Sequence, residues 1–292
     1  MNAVPRHRRS RGFTLVEAIL VIVIIGIIGG IVAIFIRAPV IGYTESVDRA
    51  AVTDEADLAL RRIARDLRLA LPNSVRVNAN GSAVEFLQTS TGGRYLAVDD
   101  DVPGLPFLDF DNPASVSFAV IGGTQRPIQA GNYIVVYNLG DSIVPSDAYG
   151  LGSGASVNIA RVASVADATG NTPIVTLQSN PFAQQPVPMV SPTRRFQVVT
   201  TPVTYQCMQL KNGSLGLVRF WDYPISGQQN TPLSGTRQTT IASHVASCSN
   251  VFQYGSAATR AGALVILNLS LLTRGSSGAV NLVHQVHVDN TP

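Results

Sequence analysis

Few side chains in this sequence are placed to do chemistry, and the most conspicuous is Glu17. It stands at the head of the run Ala18–Ile36 (AILVIVIIGIIGGIVAIFI), 19 residues without a charge. A carboxylate at the centre of a membrane helix costs roughly 2.5–3.5 kcal/mol, and less near its end, so an acid here is read as functional. The plainer alternative is that it sits among lipid head groups and neutralises its own helix end. His284 and His287 are the remaining pair with ligand-like chemistry. Three residues apart in a strand, they face opposite sides of the sheet and do not converge on a metal. Asp99, Asp100, Asp101, Asp109 and Asp111 offer the oxygen ligands that calcium takes, but without EF-hand spacing, and are read as a solvated loop. GxSxG, Walker and HExxH patterns are all absent from the sequence. No catalytic residue, no metal site and no cofactor is expected, and the chain is read as a non-enzyme.

The apolar run is about the length a helix needs to cross a bilayer's hydrocarbon core. Arg6, Arg8, Arg9 and Arg11 precede it, and Glu45, Asp48, Asp54, Glu55 and Asp57 follow. Positive flanks stay in the cytoplasm, so the N-terminus is expected inside and everything after the span exported. The run is too long for a signal-peptide core, and no small-x-small site closes it. The net charge of +3 is a consequence of this signal, because four of the 21 Lys+Arg lie in the first eleven positions and the other 17 face 18 acids. Without the leader the chain is near neutral, which removes the case for a nucleic-acid surface.

On the exported, oxidising side lie two cysteines, Cys207 and Cys248. An even pair there reads as a disulfide, since neither CxxC spacing nor nearby histidines favour redox or metal chemistry. A bridge closing about 41 residues stabilises by roughly 4 kcal/mol in the chain-entropy model.

The elements that position these residues can be read from periodicity. Val52, Ala56, Leu60, Ile63, Leu67 and Ala70 recur at spacings of four and three, drawing one apolar stripe. Asp54, Asp57, Arg61, Arg65 and Arg68 take the other faces, and Glu45–Arg49 and Asp57–Arg61 are acid-before-base pairs at i, i+4. Leu71-Pro72-Asn73 ends the helix. Despite a candidate break at Pro39, residues 13 to about 70 are expected to form one helix of roughly 85 Å. Beyond Pro72, short alternating or β-branched runs separated by Gly, Pro, Asn and Asp turns read as strands, with one short helix expected at 240–246. The charged share is only 13%, which suits a turn-rich β domain. The expected fold is α+β: a helical spine, transmembrane over 13–38 and amphipathic over 39–71, packed on an antiparallel β domain over 72–292.

The junction Arg11-Gly12-Phe13-Thr14-Leu15-Val16-Glu17, followed at once by the apolar run, resembles the prepilin leader of type IV pilins and type II secretion pseudopilins. The resemblance implies a leader peptide 1–12, cleavage by prepilin peptidase between Gly12 and Phe13, and methylation of the new Phe13 amine. Gly12 suits a peptidase because a residue without a side chain lets the scissile backbone approach closely. It also gives Glu17 a partner, the N-terminal ammonium of Phe13 on a neighbouring subunit, which would set axial register in a filament. Gly26, Gly29 and Gly30 then have two functional readings, close packing against neighbouring helices or local unwinding of the helix on assembly, beside the plainer one of a span with incidental glycines. Many major pilins carry a proline some 22 residues into the mature helix; this chain has Ile34 there, and its first proline after the leader is Pro39.

The segments Asp66–Val77, Arg194–Cys207, Leu217–Ile225 and Leu282–Pro292 are similar in texture to minor pilin-like subunits of the mannose-sensitive haemagglutinin (MSHA) pilus, themselves similar to J-type pseudopilins. Residues 88–190 are the least distinctive. The resemblance implies a pilin-like fold and a structural subunit of the inner membrane, later of a pilus. The partners it implies are prepilin peptidase, other major and minor pilins through the N-terminal helix, and the pilus assembly machinery. The alternatives are a type II secretion pseudopilin and a pilus-tip adhesin using loops such as Gly150–Ser156.

Overall fold

A computed structural model describes residues 12–140, 143–151, 157–167, 169–185, 190–229, 233, 237–256, 262–273 and 278–292. Arg6, Arg8, Arg9 and Arg11 fall outside these, as do residues 152–156 of the glycine-rich loop. The chain divides into two compact units, one holding residues up to Ala51 and the other holding most of Val52–Pro292. Helix α1 runs from Leu15 to Leu67, with Pro39 inside it. Its first part, through Ala51, contains no buried position among those described.

In the second unit the buried stripe begins at Val52. Ala56, Leu60, Ile63 and Leu67 are each at most 4% exposed, and all belong to one core with residues of both sheets. Burying each large aliphatic side chain is worth about 1.5–3 kcal/mol. Most of the stability of this helix end therefore comes from packing and little from its i, i+4 pairs, of which Asp57–Arg61 forms at 2.7 Å between largely exposed groups.

All the strands pair antiparallel. In chain order they are β1 Arg76–Val77, β2 Ala83–Tyr95, β3 Ser117–Ile121, β4 Tyr133–Val135, β5 Ile159–Ala166, β6 Ile174–Leu177, β7 Arg195–Gln209, β8 Leu215–Trp221, β9 Arg237–Ser243, β10 Phe252–Ser256, β11 Gly262–Leu272 and β12 Ala279–Asp289. The larger sheet has the order β1-β2-β3-β6-β5-β4-β7-β8-β9, and β2 pairs with β7 as well. That extra pairing closes β2, β3, β6, β5, β4 and β7 into a six-stranded ring. β10, β11 and β12 form a separate sheet.

Two long strands carry this arrangement. The first half of β2 and the second half of β7, with β8 and β9, contribute Val84, Phe86, Val203, Tyr205, Leu217 and Ala242 to the helix-bearing core, against which Val77 of β1 packs. The other halves of β2 and β7 wall the ring, whose interior holds Tyr95, Phe118, Val120, Ile134, Val162, Val175, Phe196 and Val198. A register shift at Gln88–Thr91 marks the changeover, as expected of a bulge, which bends a strand and increases its twist. Gly93 is required just beyond it, because a Cβ there would lie 2.8 Å from the Phe196 ring. The weakly patterned middle of the sequence thus builds a closed ring with its own core.

Two sequence expectations are corrected. Residues 240–246 are not helical: Thr240, Ala242 and Ser243 lie in β9 paired to β8, with Ile241 at a register shift between them. A helix that short is marginal in water, whereas β-branched residues beside an open sheet edge gain backbone partners. β10 was not anticipated, and it forms because β11 offers Ala263–Leu267 as its template.

Candidate functional site

Gly12, Phe13 and Thr14 precede the helix in non-helical backbone and are exposed, Phe13 at 76%. Thr14 caps α1: its Oγ1 accepts the Glu17 N–H at 3.3 Å, and its carbonyl accepts the Ala18 N–H at 3.1 Å. Thr14-x-x-Glu17 is capping-box spacing, and the carboxylate lies in the first helical turn, where the helix dipole favours negative charge by about 0.3–1 kcal/mol. Sequence reasoning missed Thr14, although the T-x-x-E pattern ahead of an apolar run is visible in the chain.

The chain's own packing does not account for the glycines of this segment. A Cβ at Gly12, Gly26, Gly29 or Gly30 would meet nothing within 4 Å, and none of the four has a positive φ. Nothing within the described chain therefore requires a glycine at these positions. From Leu15 to Ile36 every side chain is exposed and the surface is almost wholly apolar, so the helix is long and apolar enough to be a candidate membrane anchor.

Further along α1, the structure shows a buried charge that the sequence analysis had passed over. Asp66 lies within the apolar stripe, three residues after Ile63 and four before Ala70, and that position was the available signal. Its Oδ2 accepts from Arg219 Nε and from Tyr205 Oη, both at 2.8 Å. Both charged side chains are 11% exposed. Arg219 also lies over Trp221, 4.9 Å from the ring centroid. Burial, reinforced by the Asp66 charge, pushes the Tyr205 hydroxyl far above its ordinary range. This trio ties the end of α1 to β7 and β8.

Cys207 on β7 is bonded to Cys248, with an S–S distance of 2.01 Å. This fixes the segment after β9 against the sheet. His284 and His287 alternate on β12, the first half-buried and the second exposed, so they face opposite sides as expected. Among the described residues no group of three or more His, Cys, Asp or Glu is placed to hold a metal.

The acidic cluster is better partnered than a solvated loop. Asp100 pairs with Arg94 at 2.7 Å and with Arg194, and its Oδ2 accepts the Ala97 N–H at 2.9 Å. That amide, with help from Arg94 and Arg194, holds the Asp100 carboxyl below the usual range. The carbonyls of Asp109, Asn112 and Ser115 converge on Asn180 Nδ2 at 2.7, 3.2 and 3.0 Å. An amide therefore already sits where those carbonyls would surround a cation.

Residues 7–33 match the family model of the prokaryotic N-terminal methylation motif. That motif indicates a type IV pilin-like protein. It covers the basic stretch from His7, the capped helix start with Glu17, and the candidate anchor as far as Ala33, and it points to a structural family. Processing by prepilin peptidase and assembly with pilins are what such a motif implies. No curated protein matches the chain, and no solved structure matches it.

Proposed function

We propose that this pilin-like chain is a minor subunit of an MSHA-type pilus, of the MshO kind, which is built into the filament or helps to initiate it. The observation that carries the reading is the methylation motif at residues 7–33, heading a helix that begins in an exposed apolar segment and ends, from Val52, inside the core of a β domain. One end suits helix bundling and the other holds a folded domain.

In this reading residues 1–12 are the leader, cut between Gly12 and Phe13 by prepilin peptidase, and Phe13 is N-methylated. Residues 13–38 cross the inner membrane with the N-terminus cytoplasmic, 39–71 are the amphipathic part of the helix, and 72–292 form the periplasmic domain. Glu17 is the assembly determinant, pairing with the Phe13 ammonium of a neighbour once both leave water, where an unmatched charge is costly. Gly26, Gly29 and Gly30 supply the close helix contacts.

The test is the intact mass of the protein recovered from its host, with identification of what co-purifies. The expected mature chain begins at N-methyl-Phe13 and travels with other pilins. Gly12→Leu should accumulate as precursor, while Gly12→Ala, which meets nothing within 4 Å, should be at least partly processed. A mature chain beginning elsewhere, or capture with secretion-system pseudopilins and no pilus component, would overturn the assignment.

A further inference from the structure

A cleft of about 380 Å³ opens beside the first part of the loop joining β2 to β3, with Val190 and Arg194 on its far side. That volume lies at the low end of the range of small-ligand sites and leaves room for a single side chain with water. Its wall is aromatic and braced from behind: Tyr95 and Phe110 stand 5.8 Å apart, Phe110 and the buried Phe182 6.2 Å apart, and Phe107 completes the lining. At the mouth, Val98 and Val190 are 63% and 46% exposed. Among the described residues no side chain fills this partly apolar hollow, which opens to water.

The lining is acidic. Asp99, Asp109 and Asp111 line it, and Arg194 is the one cation among the described lining residues. Arg194 is already committed to Asp99, at 3.6 Å, and to Asp100. Asp109 uses Oδ1 to accept the N–H groups of Asp111 and Asn112 at 2.9 and 3.0 Å, while neither its Oδ2 nor the Asp111 carboxylate has a partner among the described residues. Negative charge beside low-dielectric walls concentrates the field in the hollow. A bare metal ion is a poor occupant, since the nearby carbonyls are taken by Asn180.

We propose that this cleft receives a cationic group on an apolar stem, a lysine or arginine side chain presented by another polypeptide. The aromatic wall and the two valines take the stem, ring surface attracts the charge, and Asp109 and Asp111 accept its hydrogen bonds.

The experiment titrates the full-length protein, in a non-ionic detergent, with N-acetyl-arginine amide, N-acetyl-lysine amide, uncharged N-acetyl-norleucine amide and methyl glucoside, followed by saturation-transfer NMR. Both cationic probes should saturate at concentrations on the order of millimolar. They should bind at least about tenfold more tightly than the norleucine probe, and weaken severalfold as salt is raised from about 20 to 500 mM. Asp109→Asn preserves the turn-forming oxygen, so Asp109→Asn with Asp111→Asn should weaken arginine binding about tenfold without a change in Tm. Equal binding of the norleucine probe or of methyl glucoside, unchanged affinity in the double variant, or no saturation by about 50 mM would each overturn the proposal.

Discussion

Asp66→Asn is the sharpest test of how the helix is held. The substitution keeps the side chain's size and one acceptor but leaves the Arg219 guanidinium, 11% exposed, without its charge partner. At 2.8 Å and an effective dielectric near 20, the lost attraction is about 6 kcal/mol gross. Much of it was offset by the cost of burying both ions, and breaking one side of such a pair typically costs about 3–5 kcal/mol because the survivor stays buried. Here the residual exposure puts the expected loss near the lower end, about 3 kcal/mol. Urea unfolding of the full chain in neutral detergent supplies the assay, with the single tryptophan as probe, since Trp221 lies 4.9 Å from Arg219. Arg219→Met should cost a similar amount, and Asp66→Leu with Arg219→Met and Tyr205→Phe should recover most of it, because apolar replacements leave neither an orphaned charge nor an unpartnered hydroxyl. Additive losses in that combination, or an Asp66→Asn cost below about 1 kcal/mol, would refute the account of a coupled buried charge.

Cys207→Ser should lower the stability of the β domain by about 4 kcal/mol, the chain-entropy value for a loop of 41 residues; two alkylatable thiols in the native protein recovered from its host would contradict the bridge. Glu17→Leu should enter the membrane and be cleaved normally, because an insertion cost is relieved and the scissile bond is untouched, yet incorporate poorly into filaments; normal piliation at native expression would leave Glu17 with only its place in the helix cap. The Tyr95 hydroxyl is pushed up to about 12, chiefly by burial, and Tyr205 and Tyr223 are raised further for the same main reason. A raised folded-state value means that this stability is complete below the unfolded value near 10 and is lost as pH climbs through the folded one. Absorbance at 295 nm should therefore show these phenols ionising only together with unfolding above about pH 11, and their early, reversible titration in the folded protein would count against their burial.

The sequence by itself determined the features that depend on local chemistry. The run Ala18–Ile36 as a candidate span and the stripe from Val52 to Leu67 as a buried helix face could be read from length, charge and period, which need no partner in space. The cysteine pairing was legible because only two cysteines exist. The α+β class followed from the change of periodicity at Pro72. What tertiary structure alone decided is where strands go and which charges they meet. The ring formed by β2 to β7 rests on pairings between residues as distant as Arg94 and Arg195, and a strand's alternation does not name its neighbour. For the same reason nothing in the sequence placed Gly92 and Gly93 within a strand, where the Phe196 ring lies against Gly93. Asp66 carries no signal of its role in sequence, because Arg219 and Tyr205, which hold it, lie 153 and 139 residues away. A buried charge is tolerable only with such partners, and partners from distant strands become visible only once the chain is folded.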